Sequence, residues 1–125
     1  MYFFFFFIST LGLDGKVEVT LIDCDDLISK DGNGKSDPYV VIRIGRYGKM
    51  SDVRFNYLIC PRFLFVLSHR QTTHSTVKHA TLKPVFNEKF KFKVPDDKKK
   101  YVLELTCWNK DPVGKDQFMG KCVVE

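Results

Sequence analysis

Two short polar segments hold the residues best able to do chemistry. Residues 31–37 read Asp-Gly-Asn-Gly-Lys-Ser-Asp, so Asp31 and Asp37 stand six positions apart across a glycine-bearing turn. Calcium takes about six to eight oxygens from carboxylates, carbonyls and water, and glycine lets a backbone fold tightly enough for two such side chains to converge. A second acidic segment runs from Trp108 to Phe118 and contains Asn109, Asp111, Asp116 and Gln117. Together the two segments can pool Asp31, Asp37, Asn109, Asp111, and Asp116 or Gln117 around one ion. Asp, Asn and Gly are also what ordinary solvated turns are made of. The start Asp31-Gly-Asn33 resembles an EF-hand loop, but Ser36 stands where that loop needs Gly and Ile42 where it needs Glu. Pro38 and a β-branched run follow where a helix should begin, so the EF-hand reading fails.

Other chemistries are poorly supported. There is no nucleophile elbow, no phosphate-cradling loop opening a helix and no His-Glu-x-x-His motif. His69, His74 and His79 are spaced five apart, which matches neither a helix face nor a strand face. The expectation is therefore a binding module and not an enzyme. Cys24, Cys60, Cys107 and Cys122 lie far apart, giving neither a zinc spacing nor a disulfide framework. Reduced, cytosolic thiols are the simpler reading.

The elements that must position these residues are strands. Val17, Val19 and Leu21 alternate with Glu18 and Thr20 between Lys16 and Asp23. Residues 38–44 are β-branched and aromatic. From Phe86 to Val94, Phe90, Phe92 and Val94 face one way and Lys89, Lys91 and Lys93 the other. Between Tyr101 and Trp108, Leu103, Leu105 and Cys107 stand opposite Val102 and Glu104, and residues 118–124 form a last short strand. Short strands separated by Gly, Pro and Asp turns, with no sustained helical period, predict an all-β sandwich. In such a fold, loops from distant strands gather at one end.

The ordered motifs Leu27-Ile-Ser-Lys-Asp31, Gly34-Lys-Ser-Asp-Pro-Tyr-Val40, Thr81-Leu-Lys-Pro-Val-Phe-Asn-Glu88, Trp108-Asn-Lys-Asp111 and Phe118-Met-Gly120 resemble those of the C2 domain, the membrane-binding module of protein kinase C and synaptotagmin-like proteins. The likeness covers roughly Gly15 to Arg43 and Gln71 to the end. It implies an antiparallel Greek-key β-sandwich that binds calcium between loops at one end. It also implies docking on anionic phospholipid membranes as a cytoplasmic, peripherally associated targeting module. The ligands it implies are Asp31, Asp37, Asn109, Asp111 and Gln117, with Asp116 as a substitute for Gln117. The family usually has Asp at the last three of these five positions, and here two are amides. Fewer charged ligands imply weak calcium binding at reduced stoichiometry. In the family's mechanism, bound calcium reverses a negative potential at the loop end.

Val113 is the expected apolar loop tip. Lys78, Lys83, Lys89, Lys91 and Lys93 correspond to a basic groove that, in this family, often binds inositol phospholipids. A solvated lysine face is the plainer alternative. C2-type sandwiches that have lost acidic ligands often serve as calcium-independent protein-interaction modules, and Asn109 and Gln117 point that way. No recognition helix or base-stacking aromatic pair supports nucleic-acid binding.

Two segments stand outside this pattern. Residues 1–14 begin with a Phe-rich run too short to span a bilayer and without the basic start of a signal peptide. They are expected to form an extension before a domain at 15–125. Residues 46–70 interrupt the domain. Gly45 to Gly48 can be encoded by a splice-donor-like stretch, and Phe63 to Arg70 by a pyrimidine tract with an acceptor-like end, as a short retained intron would be. This segment carries five basic residues and one acidic, leaving the other 100 residues at only +1 of the total +5. The family pattern also leads one to expect further strand after Cys122, so the sandwich is expected to lack its last strand or strands.

Overall fold

Residues that alternate apolar and polar with period two pleat into strands with one buried face. The computed structural model describes residues 3–11, 15–48, 66–94 and 101–124. Among them are seven strands: β1 (Phe3–Leu11), β2 (Lys16–Asp25), β3 (Pro38–Gly48), β4 (Val66–His74), β5 (Val85–Lys93), β6 (Tyr101–Asn109) and β7 (Gln117–Val124). They form two antiparallel sheets in the orders β1-β2-β5 and β4-β3-β6-β7. This is the expected Greek-key sandwich.

The facing sides of the sheets make the core. Val19 and Leu21 from one sheet and Val40, Ile42 and Leu105 from the other are completely buried, with Phe86, Phe92, Leu103, Cys107 and Met119 around them. Each fully buried aliphatic side chain of this size contributes about 1.5–3 kcal/mol. Phe90 and Val94 pack at the margin, while Lys89, Lys91 and Lys93 point outward, as the alternation requires. On the outer face of the four-stranded sheet, Glu104 bridges Arg43 at 3.0 Å and Lys121 at 2.9 Å.

Two expectations meet a different arrangement. Residues 3–11, set apart as an extension, form β1 in antiparallel register with β2, from Phe3 opposite Asp25 to Leu11 opposite Lys16. A run of Phe and Ile is strongly β-forming and pairs readily with an available strand edge. The 46–70 segment also begins and ends in strand. Arg46, Tyr47 and Gly48 pair with Ser68, Leu67 and Val66, extending the β3–β4 hairpin beyond Ile44 and Gln71. The rest of that segment, 49–65, lies outside the described residues, as does the Lys98–Lys100 turn.

Candidate functional site

The two crossings between sheets that carry motifs, β2–β3 and β4–β5, lie at the same end as the β6–β7 hairpin connection. The β2–β3 connection (26–37), the β4–β5 connection (75–84) and the β6–β7 connection (110–116) meet there because Pro38 pairs with Asn109 and Val41 with His74. Backbone hydrogen bonds tie them together: Lys110 N–H to Asp37 C=O at 2.9 Å, Thr81 N–H to Ser36 C=O at 2.8 Å and Leu27 N–H to Leu82 C=O at 3.3 Å. Within the first loop, Gly34 takes a left-handed φ of 77° and donates its N–H to the Asp31 carbonyl. The fully buried Ser36 hydroxyl accepts from Lys30 N–H and donates to the Ile28 carbonyl, which fixes the loop from inside.

The predicted ligands fall into two groups. Asn109, at the end of β6 and only 1% exposed, joins Asp31, Asp37 and Gln117. Its Oδ1 accepts from the Asp37 N–H at 2.7 Å, and its Nδ2 donates to Asp31 Oδ1 at 3.0 Å and Gln117 Oε1 at 3.1 Å. Asp111 and Asp116 are linked separately. Asp116 Oδ1 accepts from the Asp111 N–H at 3.0 Å, and Asp116 Oδ2 accepts from the Tyr39 hydroxyl, with Lys110 Nζ at 3.5 Å. Asp111 Oδ1 caps the turn by accepting from Val113 and Gly114 N–H. The Asp37 carboxylate accepts from Ala80 N–H at 2.7 Å.

These bonds shape the acidity of the group. The Val113 and Gly114 N–H groups hold the Asp111 carboxyl below the ordinary value, and the Tyr39 hydroxyl, then the Asp111 N–H, do the same for Asp116. Burial, then the bond to Asp116, pushes the Tyr39 phenol up to about 12.

As arranged, the set does not fit a calcium ion. Among the described residues no three His, Cys, Asp or Glu side chains converge closely enough to hold a metal. The Asn109 oxygen is turned to a backbone N–H, so an N–H donor, not an oxygen, faces the Asp31 carboxylate.

The surface of this end is built from other residues. Lys30, Lys35, Lys83, Lys110 and Lys115 are exposed, whereas Asp31, Asp37, Asp111 and Asp116 are partly buried against their donors. Val113 is 95% exposed at its loop tip. Ile28, not singled out from sequence, is 56% exposed on the first loop; an apolar residue between Leu27 and Ser29 gives no periodic signal of its own. The five lysines considered for lipid binding separate. Lys78 and Lys83 lie in the β4–β5 connection, Lys78 with its Nζ 5.9 Å from the Phe86 ring centre and Lys83 3.4 Å from Asp25. Lys89, Lys91 and Lys93 run along the outer face of β5, opposite Thr20, Glu18 and Lys16, with Lys89 3.8 Å from Glu18. No helix among the described residues is long and apolar enough to cross a membrane.

Comparison with known proteins agrees with this architecture. The family model for the C2 domain matches residues 15–125. Rat "Multiple C2 and transmembrane domain-containing protein 1" is 32% identical over 111 residues, covering 89% of this chain and 9% of its own length. A solved C2 domain of plant extended synaptotagmin 1 is 30% identical with a TM-score of 0.63, covering 89% of this chain and 68% of that one. The calcium-bound pair of C2 domains from extended synaptotagmin 2 is 26% identical with a TM-score of 0.62, covering 90% of this chain and 34% of that one. This chain thus corresponds to one module within much longer relatives. With the Greek-key sandwich, the loop end and the family match in agreement, the chain belongs to the C2 domain family.

Proposed function

We propose that this chain is a membrane-targeting module that binds anionic phospholipid through its loop end, with calcium not required for docking. One observation carries the reading: at the loop end Asp31, Asp37, Asp111 and Asp116 are partly buried against their donors and only Asp26 is exposed, whereas five of the six lysines are exposed. The three connections contain six lysines and five aspartates, so this end is electrically balanced with no ion bound. Approach to an anionic surface therefore needs no reversal of sign. Each lysine near such a surface contributes ~1 kcal/mol, and Ile28 and Val113 supply apolar contact between them. The chain acts in this reading by binding, not by catalysis, at the cytoplasmic face of a membrane.

The competing reading is calcium-dependent docking. Asp31, Asp37 and Asp111 at the loop mouths favour it, as does the calcium-bound state of extended synaptotagmin 2. Co-sedimentation with phosphatidylserine-containing vesicles separates the two. Binding in EDTA that weakens steeply with salt, and falls when Lys30, Lys35, Lys110 and Lys115 are changed to Glu, supports the proposal. Binding seen only with calcium, and lost in Asp37→Asn, establishes the competitor.

A further inference from the structure

Asn109 commits both of its side-chain N–H donors and its carbonyl oxygen to partners inside the loop end. The Asp37 backbone nitrogen can only donate, so the group facing it at 2.7 Å must be the Asn109 carbonyl oxygen. That fixes the carboxamide: its two N–H bonds point to Asp31 Oδ1 and Gln117 Oε1. A buried group with partial positive charge thus sits between a carboxylate of the first loop and an oxygen at the start of β7. Those two oxygens come from segments 86 positions apart in the chain. We propose that the Asn109 carboxamide replaces a divalent cation as the cross-link of the loop end, holding Asp31 and Gln117 together with no metal present.

The effect of a carboxylate at this position follows from the same distances. Asp at 109 would still accept from the Asp37 N–H. Its second oxygen would face Asp31 Oδ1 and Gln117 Oε1 at about 3 Å with no proton between them. Two carboxylates at that distance resist joint ionisation, and a cation between them would relieve the repulsion. Asn109 is therefore a positioning residue, and one substitution should turn a metal-free loop end into one that needs a metal. The inference concerns what holds the loops, so its readout requires no lipid and is separate from the membrane-binding proposal.

Thermal unfolding of the full chain and of Asn109→Asp, each in EDTA and in millimolar calcium, tests it. The expected result is an unchanged midpoint for the natural chain in the two buffers. For Asn109→Asp the midpoint falls by roughly 5 °C or more in EDTA and recovers with calcium. A midpoint of the natural chain that rises with calcium overturns the inference, as does an Asn109→Asp chain that matches the natural one in EDTA. Should the variant fold in neither buffer, amide NMR of the natural chain decides. A slowly exchanging Asn109 side-chain NH2 pair that calcium does not move upholds the cross-link. A pair that exchanges freely, or shifts on calcium addition, removes it.

Discussion

Tyr39 and Asp116 form the contact on which the β6–β7 connection leans. The phenol donates to Asp116 Oδ2 while the Asp111 N–H donates to Oδ1. Both partners prefer the state in which Tyr39 keeps its proton and Asp116 has lost its own. Asp116 and Asp111 are held below the ordinary carboxylate value, so their contribution to stability is complete above about pH 4 and is lost as pH falls below it. Tyr39 is raised to about 12, so its contribution is complete below about pH 10 and is lost as pH rises through its folded value. Tyr39→Phe removes the strongest donor to Asp116. The expected outcome is a shallower acid limb of the thermal midpoint, because Asp116 then ionises closer to its unfolded value, and loss of an alkaline tyrosine from an ultraviolet titration. An acid limb of unchanged depth would show that the phenol does not govern Asp116. Little of this pair could be seen in the sequence, because its members lie 77 residues apart, Tyr39 reading as an ordinary strand aromatic and Asp116 as an ordinary turn residue. Asn109 was visible as a missing charge but not as a donor, since the Asp37 N–H alone decides which way its amide faces.

At the scale of elements, the β3–β6 pair is the spine of the molecule. Ile42 and Leu105 face each other across it and both are fully buried. Leu105→Ala should cost roughly 2–5 kcal/mol, and Ile42→Val roughly 0.5–1.5 kcal/mol, by the transfer and cavity terms. Denaturant unfolding measures both, and a smaller loss at Leu105 than at Ile42 would contradict this packing. Cys24 on β2 and Cys107 on β6 are also buried, and the bond to Cys107, followed by burial, pushes the Cys24 thiol up. Alkylation mapped by mass spectrometry should leave both unmodified until the chain unfolds. The half-buried Cys122, raised only by desolvation, should react before them. Strands β2, β5 and β6 were legible because apolar and polar residues alternate along them. Neither β1 nor β4 carries that signal: β1 is an unbroken apolar run at its start, and Ser68 to His74 is polar on both faces. Their pairing is decided by the neighbouring strand, which a local pattern does not contain.

For the whole molecule, orientation decides which positive charge a membrane meets. β3 carries the chain from Pro38 at the loop end to Gly48, roughly 33 Å away at strand rise. That exceeds the screening length of about 8–10 Å at physiological salt. The segment from Arg46 to Arg70 holds most of the chain's net positive charge, yet it is entered and left at the end opposite the candidate docking loops. If those loops make the contact, this charge is remote from the lipid. Replacing 49–65 with Asn-Gly supplies a two-residue hairpin turn between the facing Gly48 and Val66. It removes Lys49, Arg54 and Arg62 along with Asp52, lowering the net charge from +5 to +3. Vesicle binding by that chain should match the natural one in affinity and in salt dependence. Lys91→Glu on the outer face of β5 should also bind normally, because Glu18 already stands opposite Lys91 there. Loss of binding in the turn replacement would place the contact at the far end of the hairpin. Loss in Lys91→Glu would mean that the sandwich lies on its side against the lipid, with the lysine face of β5 and not the loop tips as the binding surface.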